Sequence, residues 1–182
     1  MEIEGIPIYR FNSVGSTMDV AGEYAEKGMT GIVLAEKQES GRGRYGRRWL
    51  SAPGGLYFSF IIRAEGGFPL SELTSLGIVK TLESFGISCK IKLPNDIISD
   101  KKKVAGILIV KKGTVYITGI GINVNNEVAD TAERTSMKQI FGRPVEKEEV
   151  LKRFVKTFLA LKGEFTKDLQ SSLKNWSGYL IK

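Results

Sequence analysis

Apolar positions along the chain follow two rhythms. Residues 6–11 (IPIYRF), 31–38 (GIVLAEKQ) and 55–63 (GLYFSFIIR) are short, apolar runs rich in β-branched or aromatic side chains, and they predict strands. In the third, Tyr57, Ser59 and Ile61 alternate with Phe58, Phe60 and Ile62 on the opposite face. GSTMDVAGEYAEKG predicts a helix between the first two strands, with Ser16 as N-cap, Asp19 in the first turn and Gly28 as the stop. PLSELTSLGIVKTLESFG carries Leu73, Leu76, Val79 and Leu82 at helical spacing and predicts a core helix. CKIKLP alternates as a strand and breaks at Pro94, leaving Asn95 and Asp96 in a turn. KVAGILIV (103–110) and TVYITGIGINV (114–124) predict an antiparallel hairpin through KKG. An irregular stretch runs to about Pro144. EKEEVLKRFVKTFLALKGEF then predicts an amphipathic helix presenting Val150, Phe154, Phe158 and Leu161, and a last short helix reaches Trp176. The predicted class is α+β, a mixed, largely antiparallel sheet backed by helices.

Composition narrows the chemistry. With 182 residues, 42% of them hydrophobic, the chain is long enough for one domain over 1–182 with a substantial core. No run approaches the roughly 18 apolar residues of a membrane span, and MEIEGIPIYR lacks the basic start and apolar run of a secretory signal, so a cytoplasmic location and no membrane are expected. Cys89 has no partner and reads as a buried structural residue. Histidine is absent, which excludes Ser-His-Asp triads, Cys-His dyads, His-ligated zinc and imidazole acid–base catalysis. A formal charge of +7 favours an anionic partner: a phosphate, an acidic protein or nucleic acid.

The charge concentrates in ESGRGRYGRRWLSAPGG (39–55). Arg42, Arg44, Arg47 and Arg48 are spaced by glycines that let backbone amides approach a ligand, and Trp49 closes the run. No Lys-Ser/Thr pair follows, so this is not a Walker A loop. A phosphate cradle, a nucleic-acid patch and a solvated loop all remain open on these residues alone. Three further clusters bear on the choice. KLPND places Lys92, Asn95 and Asp96 around a strand end. Lys103 opens KVAGIL, where strand alternation predicts that it points inward with Ala105 while Val104 takes the other face. GIGIN sets Gly119 and Gly121 within a strand, where they leave room for a ligand, with Asn123 at the rim.

Taken in order, STMD (16–19), EKQESGRGRYGRRW (36–49), PGGLYFS (53–59), KLPND (92–96), KVAGIL (103–108) and GIGINV (119–124) resemble the biotin-protein ligases, also called biotin-[acetyl-CoA-carboxylase] ligases. The resemblance implies a central sheet flanked by helices, shared with lipoate-protein ligases, and a two-step reaction using biotin, ATP and Mg²⁺. Biotin is converted to biotinyl-5′-AMP and then passed to a lysine of a biotin carboxyl carrier domain. Arg42, Arg44 and Lys103 are the implied catalytic cations, with Arg47 near the leaving pyrophosphate. Ser16, Thr17 and Gln38 are implied to bind the ureido ring with Gly41 and Arg42, while Gly106 and Gly119 make space for the rest of biotin. Trp49 would cover the adenine, and Lys92, Asn95, Asp96 and Asn123 would serve the nucleotide, Asp96 also the metal. The loop over 39–48 is expected to be mobile when empty and to fold over the ligand.

Three departures from the family pattern stand out. Leu93 replaces the usual tryptophan. Fifteen residues before Ser16 leave no room for the helix-turn-helix of ligase-repressors, so no DNA partner is expected, and the small C-terminal β-barrel of many relatives is expected to be absent. A homodimer is an expectation from the resemblance alone. The rival readings are a lipoyl or octanoyl ligase, a non-catalytic binder of biotin or biotinyl-AMP, and a nucleic-acid binder.

Overall fold

The computed structural model describes residues 1–64, 68–128 and 133–181. Eight strands form one sheet. They are β1 (Glu2–Ile3), β2 (Ile6–Val14), β3 (Gly31–Gln38), β4 (Leu56–Arg63), β5 (Lys90–Lys92), β6 (Asp96–Ser99), β7 (Lys102–Lys112) and β8 (Val115–Ile122), in the order β1-β2-β3-β4-β8-β7-β6-β5. Every pair is antiparallel except β2–β3, which α1 (Thr17–Glu26) joins as a crossover. The mixed, largely antiparallel sheet expected from the sequence is therefore present.

Alternation along β4 sorts the layers. Phe58 and Phe60 point to the face covered by α2 (Leu70–Glu83) and α4 (Lys147–Lys167), where they pack on Phe154 and Phe158 at centroid distances of 5.3 and 5.2 Å. That face is the main core, and Leu73, Leu76, Val79 and Leu82 are fully buried in it. On the other face, Ile61 meets Val33 and Ala21 beneath α1. The remainder of this second face is left for the arginine loop. The helix α5 (Leu169–Ser177) packs back on α4 and α2, its Trp176 donating to Ser75 Oγ at 2.9 Å.

Three local expectations need correction. Asp96 does not lie in the turn after Pro94 but opens β6, a four-residue strand whose Asp-Ile-Ile-Ser is too short to show a pattern of its own. The hairpin turn is at Gly113 and Thr114, since Lys111 and Lys112 still pair in the β7–β8 ladder. The stretch before Pro144 holds a short helix, α3 (Met137–Phe141), started by a reciprocal capping box between Ser136 and Gln139.

Candidate active site

A cleft of about 120 Å³ opens on the α1 face of the sheet, between the start of α1, the arginine loop and the middle of β7 and β8. One end is polar and uncharged. Ser16 caps α1, its Oγ accepting from Met18 N–H at 3.3 Å. The Gln38 amide oxygen at the end of β3 accepts from both the N–H and the hydroxyl of Thr17, at 2.8 and 3.0 Å. The Gln38 amide nitrogen donates to Ser51 Oγ at 2.8 Å, and Thr17 Oγ1 lies 2.8 Å from Ser59 Oγ. This chain of bonds fixes which way the Gln38 amide faces and leaves one of its two N–H hydrogens for a ligand.

The other end is cationic. Arg42, Arg44, Arg47, Arg48, Lys103 and Arg134 line it, and Asp96 is the single carboxylate among the described lining residues. Lys103 Nζ lies 2.6 Å from Asp96 Oδ1 and 4.9 Å from the centre of the Trp49 ring. Arg42 is ion-paired with Asp19 at the surface. Arg44 bonds the Tyr45 hydroxyl at 2.8 Å, Arg47 the Arg44 carbonyl at 3.3 Å, and Arg48 the Glu39 carbonyl at 3.0 Å. The loop itself makes a single 3₁₀ turn at Arg44–Gly46, with Tyr45 in the left-handed region at φ 56° and its ring 83% exposed. Its far end is anchored by Tyr57, whose hydroxyl donates to Ala52 O at 2.7 Å. Burial pushes the Tyr57 phenol well above its ordinary value, so it remains a neutral donor.

Lys103 reaches the cleft by a route that strand alternation does not give. Ile98 pairs with Lys103 but Ile97 pairs with Ala105, so Val104 is an extra residue in β7. This bulge turns Val104 and Ala105 together into the core and puts Lys103 on the same side as Gly106. The expectation that Lys103 faces with Ala105 is therefore wrong.

The floor is formed by strand glycines. Gly106 and Gly121 are partners across β7 and β8, and a Cβ on either would come within 2.7 and 2.5 Å of the Trp49 indole. A Cβ at Gly119 would meet Met18 Sδ at 2.7 Å. The strand glycines are thus covered by Trp49 and Met18, because a backbone without Cβ lets these side chains lie flat against it.

Of the remaining predicted residues, Asn95 lines the cleft with its side-chain nitrogen bonded to Ile107 O at 3.0 Å. Three lie elsewhere. Gly41 is packed beneath the loop, where a Cβ would strike Trp49 O at 2.6 Å. Lys92 is solvent-exposed on β5, opposite Asp96 in the ladder. Asn123 is buried, its amide spent on Thr135 O at 3.0 Å and Asn126 at 3.1 Å, and it lines a smaller adjoining cavity. Sequence reasoning missed Met18, Leu108 and Arg134 in the cleft, and gave Arg48 no role there. Strand parity with Gly106 marks Leu108, whereas a lone arginine in an irregular stretch carries no signal.

A family model for the biotin/lipoate A/B protein ligases matches residues 11–126, which hold the whole glycine–arginine loop and every cluster named above except Arg134. The chain belongs to the biotin/lipoate A/B protein ligase family. This ligase-family chain is 33% identical over 177 residues to the bifunctional ligase/repressor BirA of Bacillus subtilis, an alignment covering 86% of this chain and 54% of that protein. It is 34% identical over 103 residues to the biotin–[acetyl-CoA-carboxylase] ligase of Paracoccus denitrificans, covering 51% and 43%. Its fold matches the biotin protein ligase of Aquifex aeolicus in complex with biotin and ATP with a TM-score of 0.80 at 32% identity, covering 88% of this chain and 72% of that one. The chain spans about half the length of the curated relatives it matches.

Proposed function

We propose that this chain is the catalytic unit of a biotin–[acetyl-CoA-carboxylase] ligase, acting in the cytoplasm with biotin and ATP as substrates. In the first step an oxygen of the biotin carboxylate attacks the α-phosphorus of ATP. The bond to the β-phosphate breaks, pyrophosphate leaves, and biotinyl-5′-AMP remains. In the second step a lysine amine of a biotin carboxyl carrier domain attacks the acyl carbon, and AMP leaves as the amide forms.

The single observation carrying this reading is the gradient along the cleft, from the fixed Thr17–Gln38 hydrogen-bonding end to the cluster of basic side chains around Asp96. Biotin has that shape in charge: an uncharged urea at one end and a carboxylate at the other. The carboxylate must approach an anionic phosphate, and two unit charges about 4 Å apart repel by ~4 kcal/mol at an effective dielectric near 20. Lys103, Arg42 and Arg44 supply the fixed positive charge that offsets this, with no solvent reorganisation at the moment of reaction. The nucleophile comes first from the ligand and then from the acceptor, so the absence of histidine is no obstacle.

Among the described residues no cluster of three candidate metal ligands exists, and Asp96 is the cleft's one carboxylate. That donor set fits Mg²⁺ carried in by nucleotide, which needs only one or two protein carboxylates beside phosphate oxygens. Such an ion, held at Asp96, would neutralise phosphate charge. A homodimer is the proposed assembly.

Incubation with biotin, ATP, Mg²⁺ and a carrier domain, followed by intact mass measurement, tests the reading. Addition of one biotinyl group to a single acceptor lysine supports it. Transfer from lipoate or octanoate but not biotin refutes the substrate, and ligand binding without transfer makes the chain a non-catalytic binder.

A further inference from the structure

Arg134 belongs to none of the motifs that point to the cleft, yet its position is closely held. Lys103 N–H donates to Glu133 O at 2.8 Å and Thr135 N–H donates to Lys103 O at 3.0 Å, a parallel bridge that seats Arg134 directly beside Lys103. On the other side Asn123 ties down the Thr135 carbonyl at 3.0 Å, and the capping box at Ser136 starts α3 one residue later. The backbone is fixed while the side chain is exposed.

That side chain lines both the cleft and the adjoining cavity of about 40 Å³, sharing the boundary between them with Trp49 and Lys103. Its neighbours on the cationic wall are all engaged: Arg42 with Asp19, Lys103 with Asp96, Arg44 with the Tyr45 hydroxyl, Arg47 and Arg48 with backbone carbonyls. Arg134 has no hydrogen-bond or ion-pair partner among the described residues. A permanently charged fork without a partner, held beside an ammonium that already has a carboxylate partner, suits the oxygens of a polyphosphate. The smaller cavity does not compete for the phosphates. It is walled by Leu50, Ala52 and the amides of Asn123 and Asn126, and it includes Glu127, whose charge repels phosphate.

We propose that Arg134 binds the polyphosphate of ATP, a contact contributed from outside the glycine–arginine loop; this rests on the cleft being the adenylation site. It grips the phosphates that depart as pyrophosphate, and it makes no contact with biotin.

Calorimetric titration separates these roles without requiring turnover. Wild type, Arg134→Ala and Arg134→Lys are each titrated with α,β-methylene ATP, inorganic pyrophosphate, adenosine and biotin. Losing a charge-assisted fork is expected to weaken the ATP analogue and pyrophosphate by about 10- to 100-fold in Arg134→Ala. Adenosine and biotin affinities are expected to stay within about two-fold of wild type, and Arg134→Lys to recover part of the loss. Thermal midpoints should coincide, since the side chain is exposed. Equal affinity of wild type and Arg134→Ala for the ATP analogue overturns the assignment alone. Adenosine weakened as much as the analogue also overturns it, because the arginine then stacks on the base. A wild type that binds neither analogue nor pyrophosphate removes the nucleotide reading of the cleft, and this contact with it.

Discussion

Replacing Gly121 by alanine tests the floor of the cleft. The added methyl would lie 2.5 Å from Trp49 Cε2 and 2.6 Å from Nε1, so the indole must withdraw by about 1 Å to reach ordinary contact. The strand cannot yield instead, because Gly121 is laddered between Tyr57 on β4 and Gly106 on β7. Overpacking of this kind costs about 1–3 kcal/mol in a closed core. Here the ring is only half-buried and can swing outward, and the Lys103 contact it gives up, at 4.9 Å, is worth about 0.5–1 kcal/mol. Its Nε1 is buried with no hydrogen-bond partner, so withdrawal into water recovers part of the loss. The net expectation is a destabilisation of about 1 kcal/mol with the fold intact. The chain has two tryptophans, so Trp176→Phe leaves Trp49 as the sole emitter. In that background Gly121→Ala is expected to shift emission to the red, raise acrylamide quenching and lower the urea midpoint slightly. Unchanged emission and midpoint would mean that the indole does not rest on the glycine floor.

Three other outcomes are expected. Gly163 sits exposed inside α4 with open space where a methyl group would go, so Gly163→Ala should stabilise the protein by about 0.5–1 kcal/mol in urea denaturation; a neutral or negative effect contradicts a continuous helix there. Burial, with Glu83 nearby, pushes the Cys89 thiol up to about 12, so iodoacetamide at mildly alkaline pH should label it only after denaturation; rapid labelling of the native protein contradicts its burial. The hydrogen bond from Arg10 holds the Glu148 carboxyl below its ordinary 4.5, so the pair's contribution is complete above that value and is lost as pH falls through the lowered one. Both side chains are partly exposed, at 33% and 47%, so Arg10→Gln should cost under about 1 kcal/mol at neutral pH and progressively less as the pH is taken below 4.5, and a cost that does not change with pH would remove the ion pair as its cause.

Most of the fold was legible because long apolar runs keep one period. The helix carrying Val150, Phe154, Phe158 and Leu161 and the strand carrying Phe58 and Phe60 each declare their buried face, and the two faces meet. What escaped was set by tertiary context. The direction of Lys103 depends on a bulge at Val104 that needs β6 opposite it, and β6 is too short to be seen. The Ser136–Gln139 capping box is a readable start signal, but it opens a helix of only five residues. The glycines of β7 and β8 announce close approach without saying by what, and the indole that covers them comes from a loop more than fifty residues earlier in the chain. Asn123 reads as a ligand contact in its motif, yet its amide is consumed in holding Thr135 and Asn126.

The central claim is that the basic end of the cleft, with Lys103 at its centre, activates biotin. Exchange of labelled pyrophosphate into ATP, with and without biotin, measures this in wild type and Lys103→Ala. Biotin-dependent exchange is expected in wild type, with a drop of about 10²- to 10³-fold in the variant; the urea midpoint is expected to fall as well, because Asp96 Oδ1 is buried and loses its ion partner, so both are assayed without denaturant, where circular dichroism shows each folded. Exchange that ignores biotin, or a Lys103→Ala variant that exchanges at the wild-type rate, contradicts it.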